Sequence, residues 1–324
     1  MLSAEDAKKI NLVRELFVAQ EMQLDVLNAM QRCMDSHLFS KPDCLFVTGD
    51  TGSGKTTLIE QFVRKHPNTV NSEQSEKPIL FTTLPENASP ETASKQLLYD
   101  LGDPLFYDSK DPSLLRSKVT RLLEKCNVKL IVIDEFQHMI ERGTSRVIHR
   151  TTDWLKLLIS LNKAPIVVFG MPYSEVILKD NSQLSERLSA RFHLAPFRVV
   201  DSQERKRYLT FLHELGKHLP FNRPINWEED HLHVRLYAYS KGNMRRLRSL
   251  INEAARIAIM EKSECCQPDH FLRAYSAYAH QQEINVFQCN INKVKLSEPG
   301  KDIGWEDFIR RNKDTTLKTA QLPF

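Results

Sequence analysis

Gly49-Asp50-Thr51-Gly52-Ser53-Gly54-Lys55-Thr56 is the stretch that decides the fold. Glycines at this spacing let successive backbone N–H groups turn toward a phosphate chain, Lys55 supplies an ammonium for the β and γ oxygens, and the Thr56 hydroxyl supplies a ligand for Mg²⁺. Just upstream, Cys44-Leu45-Phe46-Val47-Thr48 reads as the buried strand such a loop leaves. Just downstream, Thr57-Leu58-Ile59-Glu60-Gln61-Phe62-Val63 opens a helix whose positive end faces the phosphates. The loop, Gly49 through Thr57, is therefore expected to bind ATP or GTP.

Leu130-Ile131-Val132-Ile133-Asp134-Glu135 supplies the other half of a nucleotide hydrolase. Four apolar residues bury a strand whose end presents two adjacent carboxylates. Asp134 is expected in the Mg²⁺ shell, and Glu135 is expected to orient and polarise the attacking water. A glutamate directly after this aspartate is not the pattern of Ras-like GTPases.

Around these motifs the chain alternates strands and helices. Strands are expected at Cys44–Thr48, Ile79–Thr83, Leu130–Asp134, Ile166–Gly170 and His193–Val199, the last broken by Pro196. Helices are expected at Ser3–Phe17, Glu21–Met34, Pro90–Leu101, Ser113–Cys126 and Ser145–Leu161. Such alternation implies α/β architecture, a parallel sheet covered on both faces with its ligand at the carboxyl ends of the strands. After about residue 200 only helical patterns remain: Ser202–His218 with Ser202 as N-cap, Glu228–Tyr239, Met244–Lys262 and Pro268–Gln282.

Composition narrows the class. The 324 residues are 41% hydrophobic and 27% charged, as expected of a soluble globular protein. The six cysteines form no CxxC pair, which points to a reducing cytosol rather than a disulfide scaffold. Cys265, Cys266 and His270 lack a second ligand pair for zinc. An acidic amino terminus and the lack of a long apolar run argue against a signal peptide or membrane span, so a cytoplasmic protein is expected. The net charge of +4 says little about nucleic acid. Lys241 to Lys262 concentrates Lys241, Arg245, Arg246, Arg248, Arg256 and Lys262, either as a phosphate-touching face or as a solvated one.

Two further arginine signals remain. Arg187 and Arg191 lie four apart on one helical face just before the expected last strand, where a guanidinium can reach a γ-phosphate held by a neighbouring subunit; ordinary ion pairing, as with Glu186, is the other reading of each. Arg245, in Gly242-Asn243-Met244-Arg245, stands at a helix start from which it can swing over a bound nucleotide.

Together, the phosphate loop, Asp134-Glu135, Arg187, Arg191 and Gly242-Asn243-Met244-Arg245 resemble an AAA+ ATPase over residues 10 to 282. Ile131 to His138 and Leu184-Ser185-Glu186-Arg187-Leu188 resemble the TniB/TnsC transposition regulators, most closely the TnsC group of type I-F CRISPR-associated transposons. The resemblance implies N-terminal helices over 1–40 that pack on the core, an AAA+ α/β core over 41–200 with its parallel P-loop sheet sandwiched by helices, a small all-helical lid over 201–284 and a partly ordered interaction tail over 285–324. It implies ATP and Mg²⁺ as cofactors, with Lys55, Thr56, Asp134 and Glu135 acting in cis and Arg187 or Arg191 in trans. Phe17 and Val18 match the place where such proteins line the adenine pocket, and an apolar core contact is the other reading of them. It also implies oligomers on double-stranded DNA, a TniQ-containing targeting complex as partner and the transposase TnsA/TnsB as target.

One departure stands out: Val168-Phe169-Gly170-Met171-Pro172 ends the fourth strand without the polar residue that helps to position water in many relatives. Ser174 or another group must substitute, or hydrolysis is slow. The resemblance implies DNA contacts among Lys95, Lys110, Arg116, Lys118 and Arg121, between the second and third strands, or Arg142, Arg146 and Arg150, after the paired acids, with most of these residues solvated surface. A DNA-free regulatory ATPase of the secretion or signalling type and a replication initiator or helicase loader are the alternatives. The first would need a membrane span or sensor module that is not visible, and no winged-helix module is evident after Gln282. In the tail, Trp305, Phe308, Ile309 and Leu322-Pro323-Phe324 are apolar residues in a polar setting.

Overall fold

A computed structural model describes residues 2–39, 41–70, 75–105, 111–161, 164–179, 181–278, 285–300 and 304–310. Five short strands, β1 (Leu45–Gly49), β2 (Ile79–Thr83), β3 (Leu130–Asp134), β4 (Ile166–Gly170) and β5 (Ala190–Leu194), form a sheet in the order β2-β3-β4-β1-β5. All pairs in it are parallel. Every residue of β1, β3 and β4 is buried, which is why these strands read as unbroken apolar runs rather than as alternating ones.

Of the five expected strands, the last is misplaced. The sheet takes Ala190–Leu194, with Leu45 opposite Ala190 and Gly49 opposite Leu194, instead of His193–Val199. Pro196 has no N–H to give to a ladder, and the next N–H, that of Phe197, donates to the carbonyl of Gly242 at 3.0 Å. Pairing therefore stops where the expected strand was to start.

The chain divides into two compact units. The sheet unit comprises residues 23–51 and 55–194 with the described part of 301–324. Its helices are α2 (Glu21–Asp35), α3 (Lys55–Arg64), α4 (Pro90–Leu101), α5 (Pro112–Lys125), α6 (Ser145–Leu161) and α7 (Ser182–Arg187). Helix α4 shows how local chemistry fixes an end: Ser89 caps it in a reciprocal box with Thr92, Pro90 takes the first turn, and Gly102 ends it at φ 88°. Residues 305–310 are helical and lay Trp305 and Phe308 against the core, with Phe308 stacked on Tyr173 at 4.3 Å. Leu322-Pro323-Phe324 lie outside the described residues.

The second unit comprises residues 1–22, 52–54 and 195–300. It packs α1 (Ala4–Glu15), α8 (Ser202–His218), α9 (Leu232–Ser240), α10 (Met244–Met260) and α11 (Pro268–Tyr278) around buried Tyr208, Trp227, Tyr237 and Phe271. Asp201, not Ser202, caps α8, accepting the N–H groups of Gln203 and Glu204. The helix expected from Glu228 is interrupted by Asp230 and His231, both at positive φ. The buried Arg235 side chain holds that break, donating to the Asp230 carbonyl and carboxylate and to the carbonyls of Val286 and Cys289.

Much of the basic run in and just past α10 is engaged within its own unit, while Lys241 and Arg245 are exposed. Arg248 reaches the carbonyls of Val13 and Leu16 at 3.0 Å, and burial pushes its guanidinium down to about 10. Arg256 is paired with Glu253, Arg246 lies over the Tyr239 ring at 4.9 Å, and just past α10 Lys262 bonds the Asp6 carboxylate at 2.6 Å. The Lys262 and Ser3 bonds hold Asp6 at about 2, below the ordinary carboxylate value near 4. A carboxylate with a depressed folded-state value stabilises the fold above its unfolded value and loses that contribution as pH falls. Asp6→Asn is thus expected to lower the melting temperature at pH 7, with the gap to wild type closing as pH drops from about 4 toward 2. A gap that persists unchanged at pH 2 to 3 contradicts this linkage.

Candidate active site at the carboxyl ends of the strands

The phosphate loop leaves β1 at Gly49, and its backbone turns on Gly52 at φ 83° and Gly54 at φ 93°, values that an L side chain rarely adopts. A Cβ on Gly52 would also meet the Asn243 side chain at 2.6 Å, and the Gly52 carbonyl accepts the N–H of Arg245 at 3.0 Å. Lys55 begins α3 and is buried, with its ammonium donating to the carbonyls of Gly49 and Asp50. Ser53 has a buried hydroxyl without a hydrogen-bond partner. Asp50 is half-buried, and Thr51 on the loop and Thr57 on α3 are exposed.

Parallel β3 delivers the paired acids beside this loop. Asp134 is fully buried, and its two oxygens accept the Thr56 hydroxyl and the Glu135 N–H, each at 2.8 Å. Burial raises its carboxyl above the usual range, against the lowering effect of those bonds and of Lys55. Because the Thr56 proton is given to Asp134, the hydroxyl lone pairs stay free for a cation. A hydroxyl and a carboxylate held this way form the hard oxygen donor set that suits Mg²⁺. Glu135 adopts a left-handed conformation at φ 57°, ψ 37°, unusual for a residue with a side chain.

Gln137, which sequence pattern leaves without a role, touches this glutamate. It is buried, its Nε2 donates to the Glu135 carboxylate, and its Oε1 accepts the N–H of Met171 at 3.3 Å. Ser174, expected as a substitute for the missing polar residue of the fourth strand, is fully buried with an unpartnered hydroxyl. Only Gln137's polarity, two residues after the paired acids, could have signalled it.

The two arginines are not on one helical face. Leu188 ends α7 at φ −98°, ψ 49°, so Arg187 closes the helix and Arg191 belongs to β5. Arg187 lines a groove of about 870 Å³ with Asp43, Cys44 and Pro165, at the amino ends of β1 and β4 and away from the loop. Arg191 stands opposite Phe46 and donates to the Ser185 hydroxyl at 2.6 Å and the Leu188 carbonyl at 3.4 Å. Within one chain neither is bonded to Lys55, Thr56, Asp134 or Glu135 among the described contacts. Arg245 is exposed at the start of α10. Phe17 and Val18 follow α1 and are half-buried, Val18 packing on the core of the helical unit.

His270 is not free for a metal: one ring nitrogen accepts the Gln267 N–H at 2.8 Å and the other faces Glu261 at 3.2 Å. No helix among the described residues is long and apolar enough to cross a membrane.

Comparison with known proteins supplies the context. The model of the family described as Bacterial TniB protein matches residues 9–198. No curated protein matches the chain. Among solved structures, the Aeropyrum pernix ORC1 protein in complex with DNA is similar at a TM-score of 0.56 and 14% identity, over 82% of this chain and 67% of that one. The Aeropyrum pernix ORC2 protein in ADPNP-ADP complexes is similar at 0.55 and 16%, over 81% and 68%. Drosophila ORC bound to DNA is similar at 0.50 and 14%, over 99% and 80%. At these identities the likeness shows the fold, an AAA+ fold of the ORC kind with a helical region after the sheet.

Proposed function

Because the chain belongs to the TniB family of AAA+ transposition ATPases, we propose that it is an ATP-dependent regulator that assembles on double-stranded target DNA and links a TniQ-containing targeting complex to the TnsA/TnsB transposase, as in type I-F CRISPR-associated transposons. The observation that carries the ATPase reading is the Thr56–Asp134 hydrogen bond, which ties the phosphate loop to the paired acids.

Lys55, now folded onto the loop's own carbonyls, would transfer its donors to the β and γ oxygens of ATP, joined by the N–H groups of Gly49 to Thr57. Thr56 and Asp134 would hold Mg²⁺, which when bound neutralises developing charge on the phosphates. Glu135 takes the role of base toward water. Arg187 or Arg191 from a neighbouring copy would complete the charge stabilisation, a role supported for Arg187 by its place at the amino ends of β1 and β4 rather than beside the chain's own phosphate loop. Arg245, Phe17 and Val18 are proposed to contact the nucleotide.

For DNA, Arg142, Arg146 and Arg150 are favoured. All three are exposed, and no ion pair joins them among the described residues. Arg146 and Arg150 stand one turn apart on α6, with Arg142 in the turn before it. Lys95 is instead paired with Glu91 at 2.7 Å, and Lys118 lies 4.0 Å from Asp103. Arg116 and Arg121 are exposed, and Lys110 is outside the described residues.

Anisotropy of a labelled duplex with ATP, ADP or no nucleotide tests this reading. Binding should require ATP, tolerate any sequence and vanish in Lys55→Ala. Replacing the three arginines by alanine should reduce the slope of log affinity against log salt by about 1 for each phosphate left without its cation. No duplex binding under any nucleotide condition would overturn the DNA reading in favour of a DNA-free regulatory ATPase.

A further inference from the structure

We infer that Gln137 is the positioning residue for Glu135, replacing through the backbone of Met171 the polar side chain that the fourth strand lacks; the inference rests on the reading of Glu135 as the base toward water.

A side chain at the end of β4 would require Ser174 to move. Gly170 is its last residue, and a Cβ there would meet the Ser174 hydroxyl at 2.9 Å and the Ser174 Cβ at 3.3 Å. What the strand end offers instead is the N–H of Met171. That N–H donates to Gln137 Oε1 at 3.3 Å, and Gln137 Nε2 donates to the Glu135 carboxylate. The partners fix the amide's orientation without ambiguity. Turned over, Oε1 would face a carboxylate and Nε2 would face another N–H, two repulsive contacts in a buried place.

Both ends of the bridge are pinned by their backbones. The Glu135 N–H is held by Asp134 and its carbonyl accepts the His138 N–H at 3.0 Å. The Gln137 carbonyl accepts the N–H groups of Ile140 at 2.9 Å and Glu141 at 3.1 Å. With the backbones fixed, the amide sets the direction of the carboxylate. One oxygen of Glu135 is then engaged by Gln137, and the carboxylate is aimed by a neutral donor that never competes for the proton. A purely packing role would not require the amide, since an apolar side chain of equal length fills the same space.

Gln137→Met keeps that length and removes both hydrogen bonds. Gln137→Glu keeps an acceptor for Met171 but sets a second carboxylate beside Glu135. Hydrolysis and ATP binding are measured on the full chain with duplex DNA, with Glu135→Gln alongside. In Gln137→Met, kcat should fall about tenfold, the loss expected for one hydrogen bond to a charged group, while ATP affinity stays within about twofold. In Gln137→Glu, which keeps an acceptor for Met171 but gives Glu135 no donor, kcat should fall likewise while ATP affinity stays within about twofold. An unchanged kcat in Gln137→Met overturns the inference, as does an ATP affinity that falls in step with kcat. If wild type does not hydrolyse ATP, or Glu135→Gln hydrolyses at the wild-type rate, the reading of Glu135 itself fails and the inference is overturned with it.

Discussion

Glu135→Gln should abolish most ATP turnover, lowering kcat by about a hundredfold or more, the usual contribution of a positioned base, while ATP still binds. The amide has nearly the shape of the carboxylate and sits on the same left-handed backbone, where the Glu135 N–H bonds Asp134. It cannot take a proton from water. The proposed Mg²⁺ ligands do not include it, because Thr56 and Asp134 bond each other without it. Lys55→Ala makes the informative contrast, since its loss should weaken nucleotide binding itself. Steady-state hydrolysis and equilibrium ATP binding on both variants separate the two roles. A Glu135→Gln protein that binds ATP and turns it over at the wild-type rate would move the base elsewhere.

Gly242→Ala should be the most damaging single-methyl change, costing about 4 kcal/mol and lowering the melting temperature on the order of 10 °C. Gly242 holds φ 76°, and a Cβ there would lie 2.0 Å from the Phe197 carbonyl oxygen. The left-handed conformation alone costs a residue with a Cβ about 1 to 2 kcal/mol. The remainder arises because the clash is with backbone, so relief requires breaking the Phe197 N–H bond to the Gly242 carbonyl and shifting Phe197 from its contacts with Tyr208 and Phe211. Gly102→Ala is the control: φ is 88°, but nothing lies within 4 Å of the added methyl. It should cost only about 1 kcal/mol, the conformational part. Thermal unfolding of the pair decides the matter, and equal small losses would refute the steric argument.

Much of the sheet unit was legible because its signals are local. An apolar strand, a glycine loop and a helix start are contiguous in Cys44 to Val63, and Leu130 to Glu135 ends on its acids. The fifth strand was misplaced because His193 to Val199 is as apolar as a strand, while the Phe197 N–H is claimed by a distant partner at Gly242. Gln137 was missed for a related reason. Its bond to Met171 spans 34 residues, and the turn that brings it back onto Glu135 depends on a left-handed residue that sequence pattern does not reveal. The spacing of Arg187 and Arg191 suggested one helical face, yet the helix stops between them at Leu188. Where a polar side chain points was legible only when its partner was a near neighbour.

The lodging of Arg248 between Val13 and Leu16 divides the basic residues by the way they fail. A genetic screen that neutralises positive charge would collect two unlike classes under one phenotype. Changes at Arg248 or Lys262 should loosen α1 and lower the folded population, whereas changes at Arg142, Arg146 or Arg150, the proposed DNA contacts, should leave abundance intact. Suppressors would differ accordingly: overproduction rescues the first class, and only a restored charge rescues the second.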